Sequence, residues 1–216
     1  GQPLPGTELR IVDPDSGATL PIGARGKVLA RGPQVMGGYL GKPEASAKVL
    51  DGEGWFDTGD LGHLLADGTL VLTGRAKDTI VLSSGENIEP GPLEECLVAC
   101  TLVEQVMLVG QDRKALGALV VPKAEALAAY AVEQGLGPAG WPDGSAAGAD
   151  AALLKALTGR LNRRLQARVG ARPDERLAGV ALVAPFTIEN GLLTQTLKQK
   201  RDRIAERDAA AIEAIY

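Results

Sequence analysis

Aromatic side chains are scarce, with two Phe, two Trp and three Tyr in 216 residues. Ring stacking therefore cannot organise the interior. With 45% hydrophobic residues there is material for a core, and it must be aliphatic, built from Leu, Val, Ile and Ala. Cysteine is limited to Cys96 and Cys100, four apart in what reads as a helix. With no second pair and a single His, no metal-ligating set is complete. The two cysteines read as small apolar residues on a buried stripe, against a metal half-site or redox pair. That one His, His63, reads as a strand or surface residue rather than a catalyst. Basic excess is missing too: the formal net charge is −4, which argues against a general nucleic-acid binder. No apolar run approaches a membrane span, and no basic stretch leads into an apolar one. The chain reads as soluble and cytoplasmic, with peripheral membrane association left open.

Turn residues divide what is present. Leu9 to Val12 reads as a strand ending in Asp13-Pro14-Asp15-Ser16-Gly17, a strong turn signal. Lys27 to Arg31 is a second strand, and Lys42 to Leu50 a short helix with Pro43 in its first turn. Gly62 to Leu65 and Thr69 to Thr73 flank Asp67-Gly68, a hairpin turn. The character changes at Gly74-Arg75-Ala76-Lys77. Beyond it, strands are expected at Ile80 to Leu82, Gln105 to Val109, Ala118 to Val121 and Val180 to Val183. Helices are expected over Pro90 to Cys100, with Leu93, Leu97 and Cys100 on one face, and over Lys123 to Gln134. A long helix carries Leu153, Leu154, Leu157, Leu161, Leu165 and Val169 on one side, and a final helix runs from Lys198 to Ile215. Gly135 to Gly148, rich in Gly, Pro, Ala and Ser, is expected to be a loop. The predicted class is α+β: a β-rich unit over 1–74, then a small α+β domain over 75–216, with a hinge near 75–78.

Three segments carry chemistry. In Phe56-Asp57-Thr58-Gly59-Asp60-Leu61, the carboxylate of Asp60 can accept two hydrogen bonds from a cis-diol, which suits ribose; the alternative is a plain turn aspartate. In Gly74-Arg75-Ala76-Lys77-Asp78, the Arg75 fork can reach a ribose hydroxyl or a phosphate. Near the end stands Glu189-Asn190-Gly191-Leu192-Leu193-Thr194-Gln195-Thr196-Leu197-Lys198-Gln199-Lys200-Arg201. Lys198, on a Gly/Thr turn opening a basic helix, can place a mobile point charge against a phosphate and a carboxylate together, with Lys200 as runner-up. Between them, Gly85 in Ser83-Ser84-Gly85-Glu86-Asn87-Ile88-Glu89-Pro90 lets the backbone approach a ligand, or simply caps the helix at Pro90. Arg160, Arg163, Arg164 and Arg168 form a charged helical face, either solvated or a dock for a phosphate.

These segments, in this order and over the whole chain, resemble the C-terminal part of the AMP-forming acyl-CoA synthetases, the family that also contains luciferases and nonribosomal peptide adenylation domains. The resemblance implies that Asp60 binds the ribose hydroxyls of ATP and of the adenylate, and that Arg75 contacts the nucleotide. It puts Lys77 at the hinge position, Ser84, Gly85 and Glu86 on the loop that lines the pantetheine tunnel, and Lys198 in the adenylation role. Gly-Glu-Asn-Ile-Glu-Pro is similar to the long-chain fatty acyl branch. The chain has Gln195 where the family usually has Pro and Gln199 where it usually has Leu, changes expected to be small and solvent-compatible. The family's phosphate loop, its Mg²⁺-binding Glu and its acyl pocket are expected upstream of Gly1, in a missing N-terminal part. The implied function is an ATP-dependent, AMP-forming fatty acid–CoA ligase, using ATP, Mg²⁺ and coenzyme A, of which this chain supplies the last β sub-domain of the large domain and the lid. By itself the chain is not expected to be active. Two alternatives stand: an acyl carrier protein as acceptor, with the Arg160 to Arg168 face as the feature to test, or a non-catalytic interaction module.

Overall fold

The computed structural model describes residues 1–136 and 150–216, so the expected loop over Gly135 to Gly148 lies, from residue 137 on, outside the described residues. The chain divides into two compact units, Gly1–Thr79 and Ile80–Tyr216.

In the first unit β1 (Glu8–Val12), β2 (Gly26–Arg31), β3 (Phe56–Leu64) and β4 (Leu70–Arg75) form one antiparallel sheet in sequential order. Asp13 shapes the turn after β1, its Oδ1 accepting from the Ser16 N–H at 2.8 Å. Gly26 is forced at the start of β2, because a Cβ there would lie 2.3 Å from the Val12 carbonyl oxygen. The short helix α1 (Pro43–Ala47) lies between β2 and β3. Trp55 is buried to 4% exposure. The Arg10 and Arg31 guanidiniums lie 4.0 and 4.6 Å from its ring centroid, so one scarce aromatic serves as a cation–π plug beside β3.

The second unit opens with a small hairpin, β5 (Ile80–Val81) against β6 (Asn87–Ile88), followed by α2 (Pro90–Val98). Its main sheet has the order β7 (Val103–Val109), β8 (Leu116–Pro122), β9 (Leu177–Leu182), with β7 antiparallel and β9 parallel to β8. A parallel pair needs a long crossover, and α3 (Ala124–Glu133) and α4 (Ala151–Gln166) lie within it. Every residue of β8 is buried. Alternation along the strands sends Val106, Leu108, Ala118, Val120 and Leu182 to one aliphatic cluster, shared with leucines of α2 and α4. It sends Met107, Leu119, Val121 and Ala181 to a second, closed by Phe186, Leu192, Leu193 and Ile204. Asp150 caps α4, accepting from the Ala152 N–H at 2.8 Å.

Several expectations need correction. The last helix is two: α5 (Arg201–Arg207) and α6 (Ala209–Glu213). Residues 198–200 are held by a β-bridge between Leu193 and Gln199 and by Lys200 N–H donating to Leu192 O, so the helix cannot start before Arg201. At the break, Arg207 turns back to donate to the carbonyls of Ala184 and Pro185 and pairs with Asp208. Val169 lies past the end of α4 and is fully exposed, whereas Leu153, Leu157, Leu161 and Leu165 are buried. Cys100 is buried and Cys96 half-buried, both as free thiols. Among the described residues no helix is long and apolar enough to cross a membrane.

Leu161 sits at 0% exposure in the middle of α4, which packs on β9. Leu161→Ala should lower the free energy of unfolding in urea by about 2–5 kcal/mol, while Val169→Ala should change it by less than about 0.5 kcal/mol. Equal losses at the two positions would refute this orientation of α4.

Candidate functional site

Asp60 is not a plain turn residue but lies inside β3. Register between β2 and β3 jumps from Leu29↔Asp57 to Lys27↔Leu61, so Thr58, Gly59 and Asp60 stand opposite Val28 alone. Three groups hold this bulge. Asp57 accepts from the Gly59 N–H at 2.9 Å and pairs with Lys27 Nζ at 3.1 Å. The Thr58 hydroxyl donates to Val28 O at 2.8 Å and accepts from the Asp60 N–H at 3.1 Å. Gly59 has φ +71°, a left-handed conformation that favours glycine. Asp60 and Arg75 are cross-strand partners, and Arg75 Nε meets Asp60 Oδ1 at 3.2 Å. One carboxylate oxygen is thus engaged by a fixed cation on a half-open surface, and the other is available to a ligand. Lys77 is exposed in the 3₁₀ turn Ala76–Asp78 that follows β4. The division between Thr79 and Ile80 keeps Asp60, Arg75 and Lys77 in the first unit.

Ser84, Gly85 and Glu86 form the exposed tip of the β5–β6 hairpin. The tip is tight: Gly85 N–H donates to Leu82 O at 2.8 Å, Leu82 N–H donates to Glu86 O at 2.9 Å, and Gly85 has φ +87°. Buried Ile80, Leu82 and Ile88 root it in the core. Arg172 ties its descending strand, donating to Asn87 O at 3.0 Å while pairing with Glu175, which also pairs with Arg168. The turn is therefore real, but it ends in a two-residue strand rather than leading straight into α2.

Lys198 is exposed at the end of a tight loop, not on a helix. Thr194 N–H donates to Lys198 O at 2.9 Å, and Lys198 N–H donates to Thr194 Oγ1 at 3.0 Å. Before the loop, Asn190 accepts from the N–H groups of Thr187 and Leu192, and buried Leu192 and Leu193 anchor the chain. Hydrogen bonds from its own N–H and from Thr187 hold the Glu189 carboxyl below its ordinary pKa. Leu197 adopts φ +59°, a left-handed conformation that costs a residue other than Gly roughly 1–2 kcal/mol. Strain of this kind persists only where the surroundings enforce it.

Gln199 does not face solvent as expected. It is half-buried, and its Nε2 donates to Val106 O at 3.0 Å. Two positioning groups escaped the sequence. Glu94 Oε1 accepts from the Leu108 N–H at 2.7 Å and from Arg201 Nη1 at 2.8 Å, while Arg201 Nη2 donates to Leu108 O at 2.6 Å. A Glu beside the buried Leu93 and Leu97 stripe was the available signal, but its partner lies 107 residues away. The arginine face makes contacts within the chain: Arg160 lies 5.1 Å from the Tyr130 ring centroid, Arg164 donates to Cys96 O at 2.6 Å, and Arg168 pairs with Glu175. Arg163 instead lines an open cavity with Asn162, Gln166 and Arg176.

With this geometry in view, known proteins give a consistent answer. The profile "AMP-binding enzyme" matches residues 1–40, and "AMP-binding enzyme C-terminal domain" matches 77–143. A chloroplastic long-chain-fatty-acid–[acyl-carrier-protein] ligase of Arabidopsis thaliana is 38% identical over 228 residues, covering 100% of this chain and 29% of that protein. The long-chain-fatty-acid–CoA ligase FadD15 of Mycobacterium tuberculosis is 35% identical over 217 residues, covering 100% of this chain and 33% of that protein. Among solved structures, the A domain of carboxylic acid reductase from Segniliparus rugosus, in complex with AMP and a co-purified carboxylic acid, superposes with a TM-score of 0.77 at 29% identity, over 98% of this chain and 32% of that one. The chain spans about 30% of the length of the curated relatives it matches. Its α+β fold, its ordered motifs and these matches over its full length place the chain in the adenylate-forming superfamily of AMP-binding enzymes, alongside the long-chain fatty acyl ligases.

Proposed function

We propose that the chain works as the nucleotide rim and lid of a longer AMP-forming ligase that joins a long-chain fatty acid to the thiol of coenzyme A. The observation that carries this reading is Lys198, a solvent-facing ammonium on a loop whose backbone is fixed from both sides and strained at Leu197. A mobile lysine on a surface helix would not need that support.

The fatty acid carboxylate attacks the α-phosphorus of ATP, the bond to pyrophosphate breaks, and acyl-AMP forms. The thiol then attacks the acyl carbon, its proton is lost, and AMP leaves. In the first step Lys198 orients carboxylate and α-phosphate and offsets the charge growing on the phosphoryl oxygens. Asp60 accepts from the ribose hydroxyls through the oxygen not held by Arg75, and Arg75 keeps that carboxylate aimed. The exposed 3₁₀ turn around Lys77 serves as the hinge, since its side chain can stay solvated while the backbone rotates. The Ser84-Gly85-Glu86 tip, bare of bulky side chains at Gly85, lines the path of the pantetheine arm. Mg²⁺ supplies charge on the triphosphate. Its ligands are assigned to the part of the enzyme upstream of Gly1, as the family resemblance implies. We place this work in the cytoplasm, with peripheral contact at a membrane surface allowed.

An acyl carrier protein as thiol donor is the second reading, favoured by the name of the Arabidopsis relative. Of the Arg160 to Arg168 face, Arg168 is paired with Glu175, whereas Arg160, Arg163 and Arg164 keep their charge for an acidic partner. Steady-state rates with coenzyme A against holo carrier protein decide between the two.

The 216-residue chain alone should release no pyrophosphate from ATP, Mg²⁺ and a panel of fatty acids, because Lys198 without positioned substrates has nothing to orient. Turnover by the chain alone would overturn its assignment as a part. In the longer enzyme, Lys198→Ala should lower acyl-AMP formation by on the order of 10²-fold or more yet still convert supplied acyl-AMP and coenzyme A to thioester. Lys77→Pro should do the reverse, forming acyl-AMP and stalling, because a fixed φ obstructs rotation. Equal damage to both half-reactions in both variants would show that the lysine roles are misassigned.

A further inference from the structure

We propose that Glu94, Gln199 and Arg201 are positioning residues for Lys198: they fasten its loop to the outer edge of β7 and so set where the ammonium stands during adenylation. The inference rests on the adenylating role of Lys198 proposed above.

Among the described residues β7 pairs with β8 along one side only. On its other side, alternate residues Val106 and Leu108 present backbone groups that no strand takes up. Side chains take them instead. Gln199 Nε2 reaches Val106 O at 3.0 Å, and Arg201 Nη2 reaches Leu108 O at 2.6 Å. The donors are two residues apart, as are the acceptors, so the segment after Lys198 follows the strand as a partner strand would, through side chains rather than backbone. Glu94, from α2, completes the clasp by accepting from both Leu108 N–H and Arg201 Nη1 through one oxygen. Glu94 and Arg201 side chains are only 16% and 19% exposed, so their pairing is shielded from the water and salt that weaken surface ion pairs.

The clasp explains the strain. Leu197 is left-handed although it is not glycine, and it is 68% exposed, so no packing of its own selects that conformation. Upstream, Leu192 and Leu193 are fixed in the core; downstream, Gln199 and Arg201 are fixed on β7. The chain between must close a tight loop, and Leu197 absorbs the turn that projects Lys198 outward. Releasing the downstream anchor would let the loop relax and the ammonium wander, which would weaken a charge that must be placed before the reaction begins.

The test uses two preparations. In the longer enzyme, Arg201→Met and Gln199→Leu should lower kcat for acyl-AMP formation, by roughly tenfold or more for Arg201→Met, with KM for ATP and fatty acid little changed and conversion of supplied acyl-AMP unaffected. Arg201→Lys should fall between wild type and Arg201→Met, because an ammonium cannot span both acceptors as the fork does. In the 216-residue chain, the same variants should speed hydrogen exchange at the amides of Leu197, Lys198 and Lys200, while the amides of Leu119 and Val120 in β8 keep their protection. The proposal is overturned if both half-reactions fall together, if KM rises with kcat unchanged, or if the loop amides exchange as in wild type. Should wild-type enzyme itself form no acyl-AMP, the adenylating role fails on its own, and the exchange data still decide whether the clasp orders the loop.

Discussion

The second unit depends on covering β8 from both sides. All seven of its residues are buried, and their side chains alternate between two aliphatic clusters. Helices α2, α3 and α4 supply one cover. The other comes from the segment after β9: Phe186, the Leu192–Leu193 pair, Ile204 and α6. That second cover is fitted closely. A Cβ on Gly117 of β8 would stand 2.9 Å from both Ile215 Cγ2 and the Tyr216 hydroxyl, so the residues just after α6 lie against bare backbone. The segment carrying Lys198 is thus not an appendage to a finished domain. It is one of the two layers without which the sheet would be wet on one face, and the lysine inherits the rigidity of that layer.

Two carboxylates anchor this unit, Glu175 buried and Glu94 half-buried, and each is tied to a different candidate functional edge. Glu94 holds the start of α5 to β7. Glu175, 9% exposed, collects Arg168 and Arg172, and Arg172 in turn grips the hairpin that bears Ser84 to Glu86. Burying such pairs contributes little net stability, because desolvation offsets most of the attraction. What they add here is placement. An aliphatic layer can slide by fractions of a contact, whereas a carboxylate that accepts two fixed donors permits one arrangement.

Patterns confined to neighbouring residues were legible in the sequence. The leucine stripe of α4, the Asp67-Gly68 hairpin and the strands at Leu9 to Val12 and Lys27 to Arg31 all form, since each needs only local periodicity and a turn. Asp60 and Arg75 could be singled out by chemistry; that they pair across β3 and β4 could not, because it depends on a bulge set by Thr58 and Val28. The final helix was misread for a related reason. Ala205, Ala209 and Ile212 keep helical spacing, but the backbone leaves the helix at Asp208, beside the Arg207 side chain that donates to the carbonyls of Ala184 and Pro185. Gln199 was misjudged because a polar residue in a polar run looks solvated until a distant strand supplies its acceptor. Long-range partners for Glu94, Arg172 and Arg201 leave no local trace at all.

The side-chain partners of β7 have one more consequence. A strand with an unpaired flank is a template on which any extended peptide can add itself, and natural sheets protect such flanks with bulges, charges or short strands. On β7 the acceptors of Val106 and Leu108 and the donor of Leu108 are already occupied by Gln199, Arg201 and Glu94, two of them charged. A newly made chain whose Arg201 has not yet found Glu94 exposes that flank. The contacts that fasten the lysine loop thus also close that flank to strand addition.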